Sequence, residues 1–200
     1  MTDQRGGAAL RPGVTEAITQ ALFEELAGRG YAGTSMEAVS RRAGVGKAAL
    51  YRRWASKEDM VLDIIGTTVR SALVVQPSTG RLVSDLRVVL EGIRTQLAHP
   101  LVVRIAPGLL AESVINAAFR NAVWTTVAEP RRAVVAEILR AAVDRGELPQ
   151  DFNFDVGIDL LFAPLAFRML AFNQPVEADY VDSLLIATIA ALGAAREPGR

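Results

Sequence analysis

Residues 31–59 read YAGTSMEAVSRRAGVGKAALYRRWASKED. Two short helical periods flank Gly44-Val45-Gly46. Thr34 or Ser35 caps the first helix, and with Thr34 as the cap Glu37 falls at the capping-box position three residues on. Met36, Val39 and Ala43 make its apolar stripe. The second helix covers residues 47–54 and buries Leu50 and Trp54 at i and i+4. A turn this tight calls for a left-handed residue, which glycine at Gly44 adopts without a Cβ penalty. Two helices so joined form a helix-turn-helix, whose first helix braces across a nucleic-acid backbone while the second lies in the major groove. Val45, Leu50 and Trp54 pack inward, which leaves Lys47, Ala48, Ala49, Tyr51 and Arg52 on or near the outer face.

Charge agrees with this reading. From Arg29 to Lys57 the basic residues are Arg29, Arg41, Arg42, Lys47, Arg52, Arg53 and Lys57, and the only acid is Glu37, a local balance of +6 in a chain of net charge zero. A basic run is often only a solvated face. Combined with the glycine turn and the buried spacing, it matches the footprint of a phosphate-binding surface.

The run Ala43-Gly44-Val45-Gly46-Lys47, then Leu50-Tyr51-Arg52-Arg53-Trp54, then Ser56-Lys57-Glu58, resembles the DNA-binding domain of the TetR family of regulators over residues 14–65. The stretch from Glu129-Pro130-Arg131-Arg132 through Arg145-Gly146-Glu147-Leu148 is similar to one C-terminal subgroup. The resemblance implies a role for each matching position. Thr34 or Ser35 caps the bracing helix and touches a phosphate. Lys47, Ala48 and Ala49 face base edges, Tyr51 bonds one phosphate and Lys57 another, with Arg42, Gly46 and Arg52 on the same surface. Ser40 stands where alanine is usual, Gly46 where a small polar cap is common, and Trp54 where phenylalanine is usual. Alanines at 48 and 49 restrict readout there to thymine methyl groups, so Lys47 is the candidate for a guanine contact.

Outward from the motif, residues 1–13 read as a flexible arm ending in the breaker Arg11-Pro12-Gly13. Val14, Ala17, Ile18, Ala21, Leu22 and Leu26 mark one face of a helix that ends at Gly28 and Gly30. Ser56 caps a long helix carrying Met60, Val61, Ile64, Ile65 and Val69. Beyond the loop at residues 76–80, helices are expected over residues 82–98, 101–113, 115–144, 154–172 and 177–194, the third kinked or divided at Pro130. No stretch alternates with period two. The expected fold is all-α, about nine helices: an arm (1–13), a helix-turn-helix domain (14–57) and a helical ligand-binding and dimerisation domain (58–200).

Prolines at 107, 130 and 164 distort helices of the second domain and leave room between them. Phe119, Trp124, Phe162 and Phe167 are the aromatic candidates to line such a space, with Ile65, Leu86, Ile93, Ile105, Leu109 and Val123 as aliphatic ones. For any one of them core packing is the competing reading. Arg168, set between Phe167 and Met169, either pairs with Asp155 or Asp159 or anchors an acidic ligand head. The last two helices are apolar on more than one face, so a symmetric pairing of copies is expected. Its candidates are Phe154, Ile158, Leu161 and Leu165 on the first and Tyr180, Leu184, Thr188 and Ala191 on the second. The implied partners are thus double-stranded DNA bearing a palindromic operator, a small apolar effector of unspecified identity, and a second copy.

Composition narrows the alternatives. Half the residues are hydrophobic, 22% are charged, and cysteine is absent, so thiol catalysis and Cys-based zinc sites are excluded. The single histidine, His99, reads as a helix-end residue; no metal or cofactor is expected. Glu24-Glu25 and Asp151 with Asp155 are paired carboxylates, but they lack the partners of an enzyme site. The apolar stretches at 160–167 and 184–195 fall short of the ~20 residues a membrane helix needs, and no secretory leader is apparent. A cytoplasmic, non-enzymatic regulator is expected, most simply a repressor released by its effector. A ligand-independent dimeric DNA binder and an activator are the alternatives.

Overall fold

The computed structural model describes residues 12–72 and 77–193, and every regular element among them is helical. Most of the expected flexible arm lies outside the described residues, and Pro12 already opens the first helix. The helices are α1 (Pro12–Gly33), α2 (Met36–Arg42), α3 (Lys47–Tyr51), α4 (Lys57–Ala72), α5 (Leu82–Ala98), α6 (Pro100–Ile115), α7 (Ala117–Val123), α8 (Glu129–Asp144), α9 (Phe154–Ala166) and α10 (Ala178–Ala191). A π-helical turn, Trp124–Ala128, joins α7 to α8 without a break, so the described residues carry nine separate rods. The turn lies directly before Pro130, which cannot donate to the carbonyl four residues back, so the ladder widens there. A second π-turn, Phe167–Ala171, extends α9 just past Pro164. No single helix among the described residues is long and apolar enough to cross a membrane.

Two compact units emerge. The first takes the described part of Met1–Val69 together with Arg104–Val127; the second takes Arg70–Val103 and the described part of Ala128–Arg200. Most of α4, most of α6 and all of α7 fall in the same compact unit as the helix-turn-helix.

In the first unit Ile18, Ala21, Leu22 and Leu26 of α1 are buried, as their spacing predicts, and so are Met36, Val39, Leu50, Trp54, Met60 and Val61. α1 runs past the expected stop at Gly28, and its helical geometry breaks at Gly30 (φ 68°). Just beyond that break, Tyr31 is buried and its ring lies 4.6 Å from that of Phe119. Burial, then the nearby charges of Glu58 and Glu112, push the Tyr31 phenol up to about 12. Asn116 caps α7 by accepting from the Phe119 amide at 3.0 Å. Arg104 donates to the Ala27 carbonyl at 3.2 Å, and Arg120 to that of Ser113 at 2.9 Å.

The second unit is built on α5, which touches α8, α9 and α10. Leu82, Leu86, Leu90, Ile93 and Leu97 form one buried stripe along it. Its opening amides need partners outside the helix. Leu82 donates to Glu147 at 2.7 Å, and the buried Asp85 accepts from the Thr79 amide at 2.7 Å.

Phe119→Ala should lower the free energy of unfolding by about 3–5 kcal/mol, since it empties a fully buried aromatic site. Denaturant titration measures this, and a loss below about 1 kcal/mol would show that Phe119 is not a core residue.

Candidate functional site

Ser35, not Thr34, is the N-cap of α2: its hydroxyl accepts from the Ala38 amide at 3.1 Å. Thr34 is buried and donates to the Gly30 carbonyl at 2.7 Å. This corrects the reading of Thr34 as a cap and phosphate contact, because its hydroxyl is turned inward and already used. The capping box built on Thr34 falls with it. Two adjacent hydroxyl residues satisfy the same sequence rule, and burial chooses between them.

The turn after α2 closes by two hydrogen bonds. The Val45 amide donates to the Ser40 carbonyl at 3.0 Å and the Gly44 amide to that of Arg41 at 3.3 Å. This is a Schellman motif with Gly44 (φ 67°) as its left-handed residue. Ser40 is buried, its hydroxyl donating to the Glu37 carbonyl at 3.0 Å. Gly46 supplies no side-chain cap to α3. α3 ends at Tyr51, short of the expected residue 54, although Trp54 still donates through its amide to the Leu50 carbonyl at 2.9 Å.

Leu50 and Trp54 are buried and Val45 is half-buried, which leaves Lys47, Ala48, Tyr51 and Arg52 exposed and Ala49 half-buried. The Trp54 indole donates to Asp63 at 2.9 Å, and Arg53 lies over its ring. Glu37, in the first turn of α2, reaches across to α3. It accepts from Lys47 Nζ at 3.1 Å and from the Tyr51 hydroxyl at 3.3 Å. Its own backbone amide, then Lys47, holds the Glu37 carboxyl below its ordinary range. The contact to Lys47 is therefore present at neutral pH and is lost only as pH falls through that lowered value.

Much of the local positive charge is used inside the module. Arg42 pairs with the buried Glu25 at 2.7 Å and with Glu24 at 2.9 Å, bracing α2 on α1. Arg29 approaches the second Glu25 oxygen at 3.4 Å, and Arg53 approaches Asp63 at the same distance. Lys57 is half-buried, donates to the Tyr31 carbonyl at 2.9 Å and lies 4.1 Å from the centre of the Tyr31 ring. Arg42 and Lys57, both expected on the DNA surface, thus have partners within the module, Arg42 while remaining exposed and Lys57 half-buried. Among the described residues, Arg41 and Arg52 are exposed and form no ion pair.

The expected pocket residues are divided between the two units. Ile65, Ile105, Leu109, Phe119, Val123 and Trp124 belong to the first unit; Leu86, Ile93, Phe162, Phe167 and Arg168 belong to the second. Phe119 and Leu86 are fully buried. Trp124 and Phe167 are exposed, Phe167 edge-on to Phe172 at 4.8 Å. Arg168 donates to the Pro175 carbonyl at 3.0 Å and lies over the Tyr180 ring; Asp155 and Asp159, its expected partners, are held by Arg132. Ile93 and Phe162 do share a cleft, of about 100 Å³, between α5, α8 and α9. No group of three or more metal-ligating side chains occurs among the described residues.

Four expected interface residues, Ile158, Leu161, Leu165 and Thr188, are buried in the core of the second unit and cannot face a second copy. Phe154, Tyr180 and Leu184 are half-buried and Ala191 is exposed. Helix period groups residues into a stripe without saying which stripe turns inward. On α9 the opposite side carries the exposed Val156, Ala163 and Phe167, Val156 55% and Phe167 64% exposed, while Leu160 between them is half-buried against the core. On α10 the outer stripe is Ser183, Ile186, Ala187 and Ala190, with Ile186 72% exposed.

Comparison with known proteins agrees with this geometry. Residues 18–64 match the family described as bacterial regulatory proteins, tetR family, and residues 76–188 match the tetracyclin repressor-like C-terminal domain. An uncharacterized HTH-type transcriptional regulator of Mycobacterium tuberculosis, Rv1556, is 34% identical over 170 residues, covering 84% of this chain and 81% of its own. YdeS of Bacillus subtilis, another uncharacterized HTH-type regulator, is 28% identical over 177 residues and 87% of each chain. The crystal structure of the TetR family transcription regulator SCO0332 superposes with a TM-score of 0.70 at 29% identity, over 88% of this chain and 97% of that one. The chain is a DNA-binding transcription regulator rather than an enzyme, and it belongs to the TetR family.

Proposed function

We propose that this regulator is a repressor that binds a palindromic operator as a homodimer and is released by a small apolar effector. The observation that carries the DNA-binding reading is the Gly44 turn, which presents Lys47, Ala48, Tyr51 and Arg52 together on an exposed face backed by Leu50 and Trp54. On that face Lys47 reads a guanine edge, Ala48 and Ala49 meet thymine methyl groups, and Tyr51 and Arg52 bind phosphates. Arg41, exposed on α2, adds a phosphate contact beside them. Glu37 opposes the duplex. It holds Lys47 and Tyr51 and brings a negative charge to a surface that must meet phosphates, so Lys47 has to leave it on binding.

The outer stripes of α9 and α10 support pairing with a second copy. Isolated surface apolar residues are ordinary, but α9 and α10 both pack on α5 and each keeps exposed apolar residues on its outer side, the kind of surface that a symmetric four-helix interface covers. A two-fold dimer then offers two α3 helices to half-sites one or more helical turns apart. The effector acts by its preference for a dimer whose α3 helices no longer match that spacing.

Lys47→Ala should relax sequence preference, flattening the difference between matched and scrambled sites. Arg52→Ala should weaken all sites alike and reduce the slope of log K against log salt by about one per protomer. Fluorescence titrations over a salt series separate the two, and a uniform loss from Lys47→Ala would refute its base-reading role. Glu37→Gln should tighten operator binding about 3- to 10-fold at low salt, because it removes the acid facing the phosphates; weaker binding would mean that Glu37 positions Lys47 productively. Phe167→Asp combined with Ile186→Asp should yield a helical monomer by analytical ultracentrifugation with operator affinity lowered more than about 100-fold. Retained dimerisation would move the interface elsewhere.

A further inference from the structure

Arg131 and Arg132 are neighbours in the first turn of α8 with opposite environments. Arg132 carries two carboxylates, Asp155 at 2.8 Å and Asp159, and they hold its charge firmly. Arg131 has none: among the described residues no carboxylate pairs with it, and its buried Nε has no hydrogen-bond partner. Burial alone acts on the guanidinium, pushing its pKa down. A guanidinium nevertheless stays protonated in a protein, so this is a largely buried cation without a counter-ion. Such a charge is costly unless something pairs with it.

Arg131 lines the cleft of about 100 Å³ between α5, α8 and α9. The walls around it are apolar: Val88, Val89, Ile93, Val134 and Phe162. Gln96 is the other polar side chain there, and Gly92 leaves the α5 side open, with nothing within 4 Å of where a Cβ would stand. We propose that this cleft binds a small organic carboxylate, its carboxylate on Arg131 and its apolar body against the valines and Phe162. The proposal rests on the effector-responsive reading above and specifies the effector's chemistry.

The geometry selects the class. A single guanidinium balances a single negative charge and meets a planar carboxylate through two parallel hydrogen bonds; a phosphate dianion would stay half-compensated. At about 100 Å³ the cleft is smaller than the cavity of about 150 Å³ that encloses benzene, so it takes one ring or a short chain only in part, the rest reaching out past Gly92. Gln96 can donate to the second carboxylate oxygen, and Arg168, tied to Pro175 and Tyr180, is not needed.

The test uses the full chain with benzoate, phenylacetate and hexanoate as probes, benzamide and benzyl alcohol as neutral counterparts, and inorganic phosphate as an anion without an apolar body. Calorimetry and thermal melting are run on wild type, Arg131→Gln, Gly92→Leu and Arg168→Gln, with operator release as a separate readout. At millimolar concentration at least one carboxylate should raise the melting temperature by about 2 °C or more, while the neutral compounds and phosphate do not. Arg131→Gln should weaken binding at least about tenfold without lowering the melting temperature of the free protein. Gly92→Leu keeps the charge but fills the cleft and should also abolish binding; Arg168→Gln should bind as wild type does. The proposal is overturned if no carboxylate binds, if benzamide binds equally, if Arg131→Gln binds within twofold of wild type, or if that variant melts well below it. Operator release by a neutral apolar compound, unchanged in Arg131→Gln, would overturn it while leaving the regulator reading standing. Failure of wild type to bind any operator would instead defeat the regulator reading, because the melting shift needs no DNA.

Discussion

The left-handed turn at Gly44 decides where α3 goes. Two backbone hydrogen bonds, from Val45 to Ser40 and from Gly44 to Arg41, close the end of α2, and α3 starts after four residues. A side chain at Gly44 would meet no neighbour, but its φ of 67° is one that L residues adopt only at a cost. From this turn follows the rest of the surface. Leu50 and Trp54 enter the core, and the residues between and before them, Lys47, Ala48, Tyr51 and Arg52, are carried outward. The turn is held from behind as well: Arg42 is fastened to Glu24 and Glu25 on α1, and Trp54 to Asp63 on α4.

Charge in this module has two duties. A sum over the sequence finds a strongly basic segment, yet Arg29, Arg42, Arg53 and Lys57 spend their charge on internal acids or on a backbone carbonyl. The exposed cations without an ion pair among the described residues are fewer: Arg41 and Arg52, with Lys47 held by Glu37. The module is also larger than its motif. Tyr31, at the end of α1, stacks on Phe119, so α7 shares a core with the DNA-binding helices.

The all-helical fold and the helix-turn-helix were legible in the sequence because their signals are local: a 3.6-residue apolar period, a glycine where φ is positive, a basic cluster. What failed to be legible depended on burial. Thr34 and Ser35 are equivalent as caps until the structure turns Thr34 inward. α9 is apolar on more than one face, so the stripe of Ile158, Leu161 and Leu165 looked as fit for an interface as for a core. Arg168 drew attention for its apolar neighbours in sequence, which in a helix point in other directions. Arg131 carried the better signal, lying four and seven residues before Val135 and Ile138, in line with a buried stripe. Reading along the helix face rather than along the chain would have found it.

The most direct measurement is selection of bound duplexes from a random pool by the purified full chain at low ionic strength. If the Gly44 turn presents α3 to the major groove in a two-fold dimer, the enriched sequences will contain inverted half-sites with centres about 10 base pairs, or a multiple, apart. Enrichment of single unpaired sites, or of no sequence at all, would contradict this reading.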